Sequence, residues 1–487
     1  MYMEVMQPKT ILYCLFFSSG PLFADLPLKT MTLIDAEQIA LEYNKQLLIA
    51  HEDTEQARQR KLQSISRWLP AIGYHAEVER IHPQELFFSI FDPLMPYNLG
   101  NTGYSSIFQL NQPLFSTDLF FNFMSKDLEA KVYQYEQANT VNALLLAVRD
   151  SYYAVIFYQN GLDIARENID YLSYALQQEQ GRLESGSATP FEVNQSKASV
   201  ANAIALYYAT LKDLKNARNS LILNLGIDPL LEPQMHLVQN QDPLESIPEI
   251  SIKIQDLDEK YHFRSDTFPT FLDFSRHIER LENARELTLF SEFEVETYLE
   301  LALSLRPDLL AKQLEIGVAK QNLRAKQGNY LPVVSGYARY SYNDIYLGTT
   351  PFFQEDYNWA LGIKLSWNLF DSFLREHEIS EAKSLQTSTK IQYDQGYQKV
   401  EVEIRNGLYQ MEEALLAYLS ATQAVFVAEQ ARDQAQDKLK FGRIAPLEYR
   451  DSVNQLCQAR NQQNRSRFDL LAAYYQVRYS TGLDANY

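Results

Sequence analysis

Apolar side chains recur in steps of four, three or seven along two long stretches of the chain. Val148, Tyr152, Val155, Leu162 and Ile169 mark the first; Ile404, Leu408, Met411, Leu415, Tyr418, Thr422 and Val425 mark the second. This near-heptad spacing predicts helices from Asp118 to Glu184 and from Ser372 to Phe441, wound as coiled coils. Neither stretch contains proline, so each helix can run about 65 to 70 residues, or about 100 Å at 1.5 Å per residue, longer than a compact domain. Gly186 and Gly442 then mark sharp tip turns. Pro190 and Pro446 follow in the first turn of return helices of about 36 residues, where proline is tolerated. The product is two antiparallel helical hairpins.

Ahead of each long helix the period changes from helical to alternating. Trp359, Leu361, Ile363, Leu365 and Trp367 alternate with Ala360, Gly362, Lys364 and Ser366, the apolar-out, polar-in pattern of a membrane barrel strand bounded by aromatics. Val333 to Tyr342 is its hairpin partner, and Ile72 to Arg80 with Tyr104 to Gln112 forms a matching pair of weaker alternation. Each is about 9 to 11 residues long, enough for a tilted strand to cross a bilayer. A soluble sandwich would also accept such strands, but not the long helices that follow.

These events occur twice in one order, so the chain is an internal duplication. Ile39-Ala40-Leu41 corresponds to Leu301-Ala302-Leu303, and Trp68-Leu69-Pro70 to Tyr330-Leu331-Pro332. Pro113-Leu114-Phe115 corresponds to Asn368-Leu369-Phe370, Thr189-Pro190-Phe191-Glu192 to Ala445-Pro446-Leu447-Glu448, and Leu225-Gly226-Ile227-Asp228 to Thr481-Gly482-Leu483-Asp484. The expected organisation is a signal segment over 1–24, a first repeat over 25–228, an insertion over 229–296 and a second repeat over 297–487. The insertion is rich in Pro, Asp and Glu and reads as an irregular segment or a small side domain.

Composition narrows the setting. Lys9, the apolar run Ile11 to Phe17 and Leu22-Phe23-Ala24 form an expected secretory signal. Cys14 would leave with it, so Cys457 alone would remain and no internal disulfide could form. No later stretch approaches the ~20 apolar residues of a membrane helix, so a membrane crossing would use strands. The net charge of -18 disfavours nucleic acid, which wants a basic face. The seven His residues are scattered without metal-ligand spacing, and no phosphate loop, nucleophile elbow or dinucleotide fingerprint occurs. No enzymatic activity, cofactor or metal is expected.

Four strands cannot close a barrel, and an open edge in lipid would leave N–H and C=O groups unpaired. The barrel must therefore be shared between chains. Eight strands from two chains would be filled by side chains, whereas twelve from three leave room for a channel. The long helices would continue around the same axis, with Gln177, Gln178, Gln180, Gln434 and Gln436 facing a wet lumen.

From about residue 31 to 484 this arrangement resembles the TolC family of outer-membrane efflux proteins, the outer-membrane factors of tripartite efflux and type I secretion systems. Leu305-Arg306-Pro307-Asp308-Leu309, Tyr330-Leu331-Pro332, Trp367-Asn368-Leu369-Phe370, and Gly442 followed by Glu448 and Asp451 carry the resemblance. It implies a mainly α fold with a membrane β part: a homotrimer with twelve strands in one barrel and twelve helices in a tunnel. It also implies outer-membrane lipid around the barrel, a periplasmic adaptor (membrane fusion protein) and an inner-membrane transporter as partners, and passive export from the periplasm.

By the same resemblance, acidic residues past the second tip line a periplasmic gate, which places Glu448 and Asp451 there. Three apart, they share a helix face, and three copies would crowd like charge and favour cations. Two acids in a first helical turn also simply complement its positive end. The family's tyrosine before the glycine is Leu439 here, and its basic residue falls at Ile444, with Arg443 adjacent; Glu192 and Gln195 hold the corresponding places at the first tip. The apolar loop from Ile81 to Thr102 would either lid the barrel mouth or fold against its rim. A passive porin would not need some 200 helical residues. A periplasmic coiled-coil adaptor or scaffold without a pore is the main alternative, and it leaves the Trp-bounded strand unexplained.

Overall fold

A computed structural model describes residues 31–80, 102–228, 292–344 and 357–484. The expected signal segment with Cys14, the loop 81–101 and residues 229–291 of the insertion lie outside the described residues.

The first half opens with α1 (Leu33–Tyr43) and α2 (Lys45–Ser66). Thr32 and Asp35 form a reciprocal capping box at the start of α1. Asn44 breaks the two helices apart: its Oδ1 accepts from the Gln46 and Leu47 amides, at 2.9 and 3.2 Å, and so caps α2. Strands β1 (Ala71–Arg80) and β2 (Thr102–Phe115) follow, then α3 (Thr117–Glu184) and α4 (Pro190–Leu225). The second half repeats the order with α5 (Glu292–Leu305), α6 (Pro307–Gly328), β3 (Val333–Asp344), β4 (Tyr357–Ser366), α7 (Leu374–Lys440) and α8 (Pro446–Thr481).

Boundaries depart from the sequence expectation where local chemistry intervenes. Helix α5 begins at Glu292, ahead of 297, because Val295, Tyr298, Leu299 and Ala302 form an apolar stripe that enters the core. Strand β2 runs past Gln112 through Pro113, which lacks an amide proton; the ladder with β3 shifts register between Pro113 and Phe115. Helix α7 starts at Leu374 because Ser372 and Phe373 are left-handed, at φ 57° and 67°. Trp367 lies just beyond β4, and its indole N–H donates to the Tyr330 carbonyl at 3.1 Å.

The strands form one antiparallel sheet in the order β1-β2-β3-β4, so the two halves meet at β2 and β3. Its register aligns Ile72, Leu110, Ala338 and Leu361 in one row and Tyr74, Phe108, Tyr340 and Trp359 in the next. Side chains alternate between faces, so these rows share one face, while Gln109, Arg339 and Lys364 belong to the other. Trp359, Leu361, Ile363 and Leu365 are 61 to 76% exposed. Both β1 and β4 are open edges of the described sheet.

The main core sits between the helical hairpins. Val148, Tyr152 and Val155 of α3 pack with Leu221 and Leu225 of α4, Ile404, Leu408 and Leu415 of α7, and Leu470 of α8. The heptad stripe is therefore the coiled-coil seam. Each return helix ends against the joint between the two short helices of its own half. Gly226 is left-handed at φ 75°, and a Cβ there would lie 2.4 Å from the Tyr43 carbonyl oxygen; Gly482 meets Leu305 and Arg306 in the same way. Arg149 reinforces this level: its guanidinium bonds Glu37 of α1 at 2.6 Å and Asp484 beyond α8. Among the described residues no helix is long and apolar enough to cross a membrane.

Candidate functional site

The tips of the hairpins carry the candidate gate. Helix α3 ends in a left-handed Gly186, and the Ser187 amide reaches back to the Arg182 carbonyl at 2.7 Å; Gly442 and the bond from the Arg443 amide to Lys438, at 2.8 Å, repeat this at α7. A Cβ on either glycine would meet nothing within 4 Å, so backbone sign rather than crowding selects glycine there.

Past the turn the two tips diverge. In the first, the Thr189 amide and hydroxyl donate to Glu192 at 2.6 and 2.9 Å, and the Glu192 amide returns a bond to the hydroxyl. These bonds hold the Glu192 carboxyl below its usual pKa and commit it to capping α4. Gln195 is exposed one turn further on, its backbone carbonyl accepting from the Ser199 hydroxyl. In the second tip Ala445 replaces the threonine, and no side chain caps α8. Glu448 is released from that role.

Glu448 and Asp451 lie together on the exposed face of α8, and their side chains have no hydrogen-bond or ion-pair partner among the described residues. The opposite face of the same turn is buried: Tyr449 and Val453 pack with Leu172, Ala175, Ala203 and Leu439. Leu439, at the place of the family's tyrosine, is thus a core residue. Ile444 packs partly against the same cluster, and Arg443 turns its guanidinium over the Phe441 ring, 5.8 Å from its centre. Apolar side chains also stand out at both tips: Phe191, Phe441 and Leu447 are exposed. Gln177, Gln180 and Gln434 are exposed and Gln178 and Gln436 half-buried.

Several features of this region carried no signal in the periodicity. Glu179 of α3 is buried with one carboxylate oxygen unbonded, and burial raises its pKa against the pull of Arg182 and Arg450. Burial likewise pushes the Tyr449 phenol up to about 12, its hydroxyl unpartnered. Nearer the sheet, a groove of about 660 Å³ between α7 and α8, bordered by α3, is lined by Asp150, Glu403, Glu413 and Asp469 with Gln410 and Gln462. The described residues contain no group of three or more His, Cys, Asp or Glu side chains that could hold a metal ion.

Comparison with known proteins places this geometry. A family profile described as outer membrane efflux protein matches residues 37–226 and 298–483. The outer membrane efflux protein BepC of Brucella suis is 24% identical over 182 residues, a match spanning 37% of this chain and 39% of BepC. Among solved structures, CusC aligns with a TM-score of 0.72 at 15% identity over 95% of each chain. The outer membrane protein VceC of Vibrio cholerae aligns at 0.72 and 15% over 92% of this chain and 96% of its own. The CmeC outer membrane channel of Campylobacter jejuni gives 0.71 and 14% over 92% and 85%. At these identities the structures attest the fold.

Proposed function

The chain belongs to the outer membrane efflux protein family, and from that premise we propose that it is a passive exit duct that closes as a homotrimer in the outer membrane. The observation that supports this reading is the sheet: it exposes an apolar face, leaves β1 and β4 as open edges of the described sheet, and is followed by helices of 68 and 67 residues. Lipid covers the apolar face, and neighbouring copies satisfy the open edges. Three copies give twelve strands around a lumen, and the helical hairpins extend that lumen into the periplasm.

The duct has no energy source of its own and works with a periplasmic adaptor and an inner-membrane transporter. The exposed Phe191, Phe441 and Leu447 supply apolar contacts at the tips where such an adaptor docks. Glu448 and Asp451, six carboxylates in the trimer, form the narrow cation-preferring entrance. The release of Glu448 from capping supports this assignment, since Glu192 at the equivalent place is bound to its own helix end.

The test is the mass and the planar-bilayer conductance of the detergent-extracted full chain. A trimer with a small, cation-preferring conductance is expected. A soluble monomer without conductance would overturn the duct and favour a periplasmic coiled-coil scaffold.

A further inference from the structure

The two repeats pass from strand to helix differently. In the first, Ser116 caps α3 directly behind β2. In the second, an elbow over 367–373 comes between β4 and α7, no side chain caps α7, and Ser372 and Phe373 take left-handed backbone at φ 57° and 67°. Neither is glycine, and such strain persists only where the surrounding structure holds it in place. The elbow carries large apolar side chains outward: Trp367, Leu369, Phe370, Phe373 and Leu374 are 55 to 72% exposed.

This elbow borders a pocket of about 180 Å³. Tyr330, Trp367, Phe370 and Phe373 give it aromatic walls, with the Phe370 and Phe373 rings edge to face at 5.8 Å. Its charges do not cancel. Arg375 is committed: its guanidinium bonds Asp371 at 2.7 Å, donates to the Asn329 and Leu369 carbonyls at 3.3 Å, and lies 4.8 Å from the centre of the Tyr330 ring. Glu376 accepts from the Tyr330 hydroxyl at 3.0 Å, and its carboxylate has no ion-pair partner among the described residues. Aromatic walls beside an unbalanced carboxylate are the chemistry that takes up an ammonium group. Laying Leu114-Phe115 on Leu369-Phe370 puts Phe121 in the place of Glu376, so the first repeat does not carry this charge.

The apolar rim of the pocket continues the exposed face of the sheet. Leu361, Ile363 and Leu365 of β4 lead by the same two-residue step to Trp367 and Leu369, at the end of the sheet from which the helices leave. We infer that this pocket is a headgroup site for a zwitterionic, amine-bearing phospholipid of the ethanolamine type, drawn from the leaflet on the helix side of the membrane. The ammonium group lies against Glu376 between the aromatic walls, and the acyl chains run along Leu369, Phe370 and the face of β4. The net negative charge of the lining disfavours an anionic glycerol headgroup at the same place. This inference rests on the lipid-facing sheet of the proposed duct and adds to it the class of lipid that the duct holds.

The experiment is native mass spectrometry of the detergent-extracted full chain with phosphatidylethanolamine and phosphatidylglycerol of identical acyl chains, supplied in equal amounts. Wild type should retain the ethanolamine lipid about fivefold over the glycerol lipid, the upper range for one exposed ion pair, and Glu376→Gln should bring the two to parity. Phosphoethanolamine without acyl chains, added in equal amount, should not displace the lipid. Phe370→Ser, which keeps the charge and removes one aromatic wall, should also reduce the preference, and it serves if Glu376→Gln fails to assemble. A trimer that retains the two lipids equally, or a variant that keeps the wild-type preference, overturns this inference and leaves the duct standing. Displacement by phosphoethanolamine overturns the lipid as the occupant. A soluble monomer overturns both readings.

Discussion

Arg306 and Asp308 show how one motif sets a local structure. Burial alone would raise the Asp308 carboxyl, but two bonds from the Arg306 guanidinium, at 2.9 and 2.8 Å, overrule it, and its pKa lies below the usual 3.8. Arg306 also reaches Glu403 at 2.7 Å and the Ser480 carbonyl, joining the start of α6 to α7 and α8. A carboxyl whose folded pKa is depressed adds stability that is complete above its unfolded value and is lost as pH falls through the lowered one. Thermal melts on acidification below about pH 4 should therefore show a falling Tm. Asp308→Asn should lower Tm at neutral pH and flatten that acid limb; an unchanged limb would show that Asp308 does not contribute. The motif was visible in the sequence as Leu305-Arg306-Pro307-Asp308-Leu309. Arg149, with the same kind of role, was not, because its partners Glu37 and Asp484 come from distant parts of the chain.

Among the elements, β4 and α8 show where patterning succeeds. The alternation of Trp359 to Leu365 depends on a period of two that every pleated strand obeys, so the exposed face could be read directly. Leu361→Arg or Ile363→Arg should impair assembly into the membrane by about 2 to 4 kcal/mol per charge at the midplane. Extraction of normal amounts of either variant with membranes would show that this face does not meet lipid. The weaker strand β1 is explained by its neighbours: Ile72 and Tyr74 join the rows of Leu361 and Trp359 only through β2 and β3. On α8 the one-turn pattern separates buried Tyr449 and Val453 from exposed Glu448 and Asp451. It does not tell that Ala445 leaves Glu448 free, which depends on the cap.

For the whole molecule, the proposed three-fold closure would make a ring of like charge from Glu448 and Asp451. Glu448→Ala with Asp451→Ala should change the single-channel conductance, reduce the cation preference, or both, because in the proposed trimer three copies of each carboxylate surround the entrance. Unchanged values in both would remove the gate from these residues and leave them as favourable charges at the positive end of α8. The variant should keep its trimer mass, since both side chains are exposed and neither makes a hydrogen bond or ion pair among the described residues.

What the amino-acid order determined by itself is everything governed by short-range period and punctuation: the duplicated order of elements, the long coiled-coil helices without proline, the tip glycines and the apolar strand face. Each follows from 3.6- and 2-residue geometry and from the few residues that end a helix or tolerate its first turn. Only the tertiary structure decided which pieces meet. The buried Glu179 and Tyr449, the groove with Asp150, the ion pairs of Arg149 and the packing of α3 on α8 all join residues distant in sequence. Chain closure sets such contacts, and local period does not encode them.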